Sequence, residues 1–383
     1  MIKFTILKWA LVVGTMMACA AIPAQISRAD DETIKVGSLN SMTGGTSTFG
    51  QSTDKGIRLA AEERNNAGGI LGRKIEIVTA DTESASDKTP LAVLKLLEQD
   101  KVVAILGEVA SSRTMAAAPS CQKAKIPLLT PASTNANVTR LGTYVFRSCF
   151  TDDVQGRWIA RFAAQDLKTK RAVILTDTKN DYSKGLRDVI SDEYAKLGGA
   201  IVGNESYQQD ESSFKTQLTN IKEKNPDIVF LPGYYTDVTL ICKQARELGI
   251  TCPFIGGDGW DSEDTLKNGG AAVEGCYFTN HYDAADPEPR VQEFVKKFKA
   301  RYEGKVPDAM AVLGYDAANI LFSAIDQAKS TDGPAIRAAL AHTRDFPGVT
   351  GSITIDKARN AIKPGVVIEI KNNKFNVVKH MAP

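Results

Sequence analysis

Two hydroxyl-rich segments stand where short β-branched runs give way to helical or turn patterns. The run 102–106 continues as Gly107-Glu108-Val109-Ala110-Ser111-Ser112-Arg113-Thr114, and the run 127–130 ends in Thr130-Pro131-Ala132-Ser133-Thr134-Asn135. Ser111 is placed to cap the helix that follows it, which would leave backbone amides and a positive dipole end free for an anion. On its own, Ser111 reads more simply as an ordinary N-cap. Two adjacent strands ending this way would make one cradle sized for a carboxylate. Farther along, Tyr182 follows the strand end Thr176-Asp177, and Tyr234 follows Leu231-Pro232-Gly233. Asp258 lies in Gly256-Gly257-Asp258-Gly259-Trp260, where glycines let a backbone approach a ligand closely. An unpaired carboxylate there would match an ammonium group, although Asp-Gly is also a common turn and Asp a common N-cap. Each tyrosine reads equally as a half-buried surface residue.

The chain carries no familiar catalytic kit. GxxxxGK[ST], GxSxG and HExxH are absent, and GxGxxG fails because Gly257-Asp258-Gly259 is followed by Trp260-Asp261-Ser262. The three histidines, His281, His342 and His380, are scattered, so a histidine-activated nucleophile has few candidates for its base. Carboxylates alone can work, but no nucleophile–base pair stands out. No enzyme activity, metal or cofactor is therefore expected.

The elements that would position these loops alternate. Strand-like runs at 34–39, 75–80, 102–106, 127–130, 172–176, 228–231 and 253–256 are separated by helical patterns at 54–66, 114–125, 184–197, 214–224 and 238–248. Such alternation marks βαβ units and a parallel sheet, and open sheets of this kind bind ligands at the carboxyl ends of their strands. The series restarts at Arg171, so two doubly wound α/β lobes fit better than one sheet. Helices then dominate at 291–302, 309–328 and 334–341, followed by strands at 352–355 and 366–370. Helices without strands of their own must pack on a sheet built earlier, so the chain should cross between lobes more than once.

Composition and targeting bound the rest. With 383 residues, 43% hydrophobic and 24% charged, the chain is globular and long enough for two or three domains. Forty-seven basic residues against 45 acidic ones give no general attraction for nucleic acid. Lys3 and Lys8 precede an apolar stretch at 9–21, and Ser27-Arg28-Ala29 offers small residues at the two positions a signal peptidase reads, so residues 1–29 are expected to be a secretory signal peptide. Cys19 could instead carry a lipid, but the branched residue usual three positions before it is absent. The cysteines beyond the leader are Cys121, Cys149, Cys242, Cys252 and Cys276. An oxidising compartment makes Cys121 and Cys149 a candidate disulfide, and the alternative is five small buried hydrophobes.

Taken together, the stretch Asn66-Ala67-Gly68-Gly69-Ile70-Leu71-Gly72-Arg73-Lys74-Ile75, the loops 107–114, 130–134 and 256–262, and Val349-Thr350-Gly351 resemble the periplasmic branched-chain amino-acid-binding proteins over essentially the whole chain after the leader. The resemblance implies a type I periplasmic binding protein, with two doubly wound parallel-sheet lobes joined by a three-segment hinge. Residues 30–149 and 283–350 would form lobe 1, and 150–282 and 351–383 lobe 2. It also implies a monomeric receptor that closes on an α-amino acid, branched-chain or aliphatic, and hands it to an inner-membrane ABC permease driven by its ATPase.

By the same resemblance, Ser111, Ala132 and Thr134 would hold the α-carboxylate, Tyr182 would close over it, and Asp258 would meet the α-ammonium. Tyr234, Phe49 and Met310 would line the cleft around the side chain. The family often has Glu where this chain has Asp258, a departure that shortens the reach. Arg113 is expected in solvent, or else favours a ligand with an acidic side chain. A small amide, urea or carboxylic-acid binder and a ligand-sensing ectodomain are the alternative functions.

Overall fold

The computed structural model describes residues 1–2 and 33–383. The body of the expected leader, with Cys19, lies outside the described residues. Strands β1 (Thr33–Asn40), β2 (Lys74–Asp81), β3 (Ala104–Gly107), β4 (Leu128–Thr130) and β5 (Val145–Arg147) form a parallel sheet in the order β2-β1-β3-β4-β5. Helices α1 (Ser47–Asn66), α2 (Thr89–Leu94) and α3 (Ser111–Ala124) connect them. The chain then leaves this lobe, and α4 (Asp152–Arg161) packs on α5 (Asp181–Lys196) of the next.

The second sheet has seven strands. Its parallel part contains β6 (Arg171–Asp177), β7 (Ala200–Tyr207), β8 (Ile228–Phe230), β9 (Phe254–Gly256) and β10 (Tyr277–Asn280), linked by α5, α6 (Lys215–Lys224), α7 (Tyr235–Glu247) and α8 (Glu263–Gly269). Two late antiparallel strands, β14 (Gly365–Lys371) and β15 (Lys374–Met381), complete the order β15-β14-β10-β9-β8-β6-β7. Left-handed glycines end two of the expected helices: Gly68 has φ +105° and Gly198 has φ +83°, a region that penalises a Cβ.

Between β10 and β14 the chain returns to the first lobe as α9 (Pro289–Arg301), α10 (Ala309–Ala328) and α11 (Gly333–Ala341). Helix α10 lies against α1, and the contact is backbone-close. A Cβ on Gly56 would stand 1.9 Å from the Ala311 carbonyl oxygen, and one on Gly314 would stand 2.4 Å from that of Thr53. The buried face of α10, from Ala317 to Ile325, shares one core with Ile34, Val36, Ile57 and Leu106. Burying each large aliphatic side chain there contributes roughly 1.5–3 kcal/mol, so the late helices belong energetically to the early sheet.

One boundary differs from expectation. Strands β11 (Phe346–Gly348), β12 (Gly351–Ile355) and β13 (Ala361–Ile362) form a small antiparallel sheet, and Ile353, Ile355 and Ala361 are buried in the first lobe's core. The chain therefore passes to the second lobe near Lys363, not after Thr350, because the apolar side of β12 is spent on the first core. The three crossings then fall between β5 and α4, between β10 and α9, and between β13 and β14.

The Cys121–Cys149 disulfide is not formed, and all five described cysteines are free. Cys121 is packed on α3 among Leu128, Val138 and Val145. Cys149 turns its sulfur to the Ser133 carbonyl oxygen at 3.5 Å. Burial pushes both thiols up to about 12, so both behave as small hydrophobes.

Candidate functional site

The strand ends of the two lobes face one another, and the loops leaving them line a narrow cavity formed by Phe49, Val109, Ser111, Ala132, Thr134, Tyr182, Tyr234, Asp258, Gly259 and Met310. All eight residues singled out from the sequence are brought together here. Phe49 in the first turn of α1, Ser111 at the start of α3, Ala132 and Thr134 after β4, and Met310 at the start of α10 come from the first lobe. Tyr182 at the start of α5, Tyr234 just before α7, and Asp258 after β9 come from the second. Val109 and Gly259 also line the cavity, and an aliphatic side chain and a bare glycine backbone carry no signal of chemistry in the sequence.

In the first lobe, hydroxyls tie the two cradle loops together. Thr114 Oγ1, Thr130 Oγ1 and Ser133 Oγ converge on the Glu108 carbonyl oxygen at 2.8, 2.6 and 2.9 Å. Arg147, wholly buried, donates to the carbonyl oxygens of Ser133 and Asn135 at 2.7 Å each and fixes the second loop. Ser111 does not cap α3. The cap position is Ala110, with no side-chain acceptor, and Ser111 Oγ instead accepts the Asn135 N–H at 3.1 Å. The start of α3 thus offers uncapped first-turn amides and a positive dipole end next to the Ser111 and Thr134 side chains, a setting suited to an anion.

Arg113 is not in solvent. It is buried, and its Nε donates to Glu108 Oε1 at 2.7 Å, while Nη2 reaches Thr46 Oγ1 at 2.8 Å and Nη1 the Ser84 carbonyl oxygen at 3.3 Å. A guanidinium satisfied this way is a brace for the loop before α3. Glu108, fully buried, gives the reason: a carboxylate at that depth needs a cation.

The second lobe supplies an aromatic wall and a carboxylate. Tyr182 and Tyr234 stack with ring centroids 5.4 Å apart and planes 3° apart, and Phe49 of the first lobe meets Tyr234 edge-on at 5.8 Å. The Tyr182 hydroxyl accepts the Gly259 N–H at 3.2 Å. Burial holds both phenols above their ordinary range, so both stay neutral.

Asp258 is 3% exposed. Its Oδ1 accepts Gln155 Nε2 at 3.1 Å, and its Oδ2 lies 3.0 Å from His281 Nε2. The same Gln155 nitrogen reaches Asp152 Oδ1 at 2.8 Å. Burial, and then the charge of Asp258, push the Asp152 carboxyl up to about 7. Asp152, Gln155 and His281 escaped the sequence reading because each touches the cavity's carboxylate or its bridge from a hinge crossing or from α4, far from it in sequence.

The arrangement has an uncapped helix N-terminus and hydroxyls from the first lobe and a buried aspartate from the second, with Phe49, Val109 and Met310 also in the lining. The family model described as "Periplasmic binding protein" matches residues 33–374. An amino acid binding protein of Pseudomonas aeruginosa is 32% identical over 85% of this chain and 86% of its own length. The crystal structure of a leucine binding protein, LivK, of Thermotoga maritima superposes with a TM-score of 0.88 at 39% identity, covering 91% of this chain and 99% of that one. LivJ of Streptococcus pneumoniae, solved in complex with isoleucine, gives 0.86 at 31%, covering 92% and 99%. With a fold of two doubly wound lobes, three crossings and a cleft at the strand ends, this chain belongs to the periplasmic binding protein family.

Proposed function

We propose that this protein is a periplasmic receptor that captures an α-amino acid, branched-chain or other aliphatic, between its two lobes and delivers it to an ABC importer. The observation that carries the reading is the division of one narrow cavity between the lobes. The carboxylate cradle (Ser111, Ala132, Thr134) is on one lobe, and the ammonium partner (Asp258) and the covering Tyr182 are on the other. Neither lobe alone offers both charges, so a zwitterion gains more from the closed form than from the open one, and that difference shifts the population. Phe49, Met310 and Tyr234 would surround the side chain with largely apolar surface. The relatives named for amino acids, leucine and isoleucine support this ligand class.

In this reading the receptor acts as a monomer, catalyses no reaction, and presents its closed surface to an inner-membrane permease and the ATPase that drives it. The leader carries it to the periplasm and is removed. Calorimetry and thermal shift on ligand-stripped protein with a panel of L-amino acids test it. Binding of an aliphatic member is expected, and the absence of heat and of any melting shift across the panel would overturn it.

A further inference from the structure

His281 sits on the second crossing, 2% exposed, with its ring stacked on Phe150 of the first crossing at 3.8 Å and 15°. Its Nε2 faces Asp258 Oδ2 at 3.0 Å, while its Nδ1 is buried with no hydrogen-bond partner. A buried polar atom left unpaired is costly, so the fold spends stability to aim this ring at Asp258.

The other side of Asp258 is fixed as firmly. Gln155 Oε1 takes the Thr279 hydroxyl at 3.0 Å and the Asp258 N–H at 3.3 Å, which sets the amide's orientation and turns its Nε2 to Asp258 Oδ1. The carboxylate therefore has a donor on each oxygen. One comes from α4, just past the first crossing, and the other from the second crossing.

We propose that His281 is a positioning residue of the binding site: its neutral imidazole, as the Nε2–H tautomer, holds the Asp258 carboxylate in the pose that receives the ligand's ammonium group and ties that pose to the hinge. The proposal rests on the reading of Asp258 given above. An aspartate is one methylene shorter than a glutamate, so two fixed donors compensate for reach with orientation. An ionised carboxylate only accepts, which requires the proton on Nε2. Burial, the largest influence on the ring, lowers its pKa to about 4 and keeps it neutral.

The test has two arms on the full mature protein. In the ligand-free protein, imidazole ¹⁵N spectra, with the His281 signals assigned by their loss in H281Q, should show a neutral Nε2–H ring between pH 6 and 8. An Nδ1–H or doubly protonated ring overturns the proposal. In the second arm, L-leucine affinity is measured for wild type, H281Q and H281L. Gln can place an N–H near the position of Nε2 and should bind within about threefold of wild type, whereas Leu cannot donate and should lose about tenfold or more at a similar melting temperature. Wild-type affinity in H281L, or equal losses in the two variants, overturns it. If wild type binds no amino acid at all, the ligand reading fails, and the tautomer measurement still decides the His281 arrangement.

Discussion

Ser112 on α3 and Asp181 on α5 bond to each other across the cleft: Ser112 Oγ donates to Asp181 Oδ2 at 2.9 Å and accepts the Asp181 N–H at 2.9 Å. Asn135 Nδ2 adds a bond to the Asp181 carbonyl oxygen at 2.7 Å, and the Tyr235 hydroxyl reaches the Gly45 carbonyl oxygen at 3.1 Å. These contacts join the two lobes, so under the proposed lobe closure their loss should fall on the closed form. Ser112→Ala is expected to cost about 1 kcal/mol of closure, or about fivefold in ligand affinity. Stopped-flow kinetics should place most of this in faster dissociation; an unchanged off-rate would argue against a latch.

Asp258 should be the residue most sensitive to the ligand's amine. Asp258→Ala removes a buried partner charge, a loss of roughly 2–5 kcal/mol for an ammonium ligand. Calorimetry should find amino-acid binding abolished or reduced at least thirtyfold. A ligand that lacks an amine but still binds wild type should be spared.

Met310 and Phe49 bound the apolar side of the cavity and are 1% exposed each. Met310→Ala should lower stability by about 2–5 kcal/mol, the usual range for a buried large-to-small change. It should also move preference toward bulkier side chains. Competition among alanine, valine, leucine and phenylalanine would reveal this, and an unchanged ranking would place Met310 outside the specificity wall.

The Arg113–Glu108 pair is expected to act on stability and not on ligand charge. Arg113→Met leaves the fully buried Glu108 unpaired, at a cost of about 3–5 kcal/mol. Adding Glu108→Gln should recover part of it. Denaturant unfolding of the single and double variants measures both. A gain in affinity for neutral over acidic ligands in Arg113→Met would revive a direct role for the arginine.

Asp152 gives a pH signature of definite sign. Its folded pKa of about 7 lies above the ordinary carboxylate value of 3.8, so the folded protein holds this proton more tightly than the unfolded chain. Its contribution to stability is present at acid pH and is lost as pH rises through about 4 to 7. Asp152→Asn should therefore gain on wild type between pH 5 and pH 8, by on the order of 1–3 kcal/mol. His281 runs the other way, since its lowered pKa of about 4 makes it favour the fold as pH rises toward 6.5. That contribution is common to both proteins and cancels in the comparison. Melting curves at the two pH values settle it.

The sequence by itself determined the alternation of strands and helices, the two-lobe class, and which loops stand at strand ends. These are local properties: β-branched runs, helical periodicity and glycine caps all act within about 20 residues. Because ligands bind at strand ends, Ser111, Thr134, Tyr182 and Asp258 could be nominated from position and residue type, and Phe49 and Met310 through the resemblance. Partner choice was beyond local pattern. Arg113 reads as a surface residue until Glu108 is seen to be wholly buried beside it, and Asp258 reads as a free carboxylate until His281 and Gln155, 23 and 103 positions away, close on its two oxygens. The placement of β12 in the first core and the separation of Cys121 from Cys149 were likewise decided by packing. A buried charge takes whichever partner the folded chain brings into hydrogen-bond reach, and only the tertiary arrangement specifies that partner.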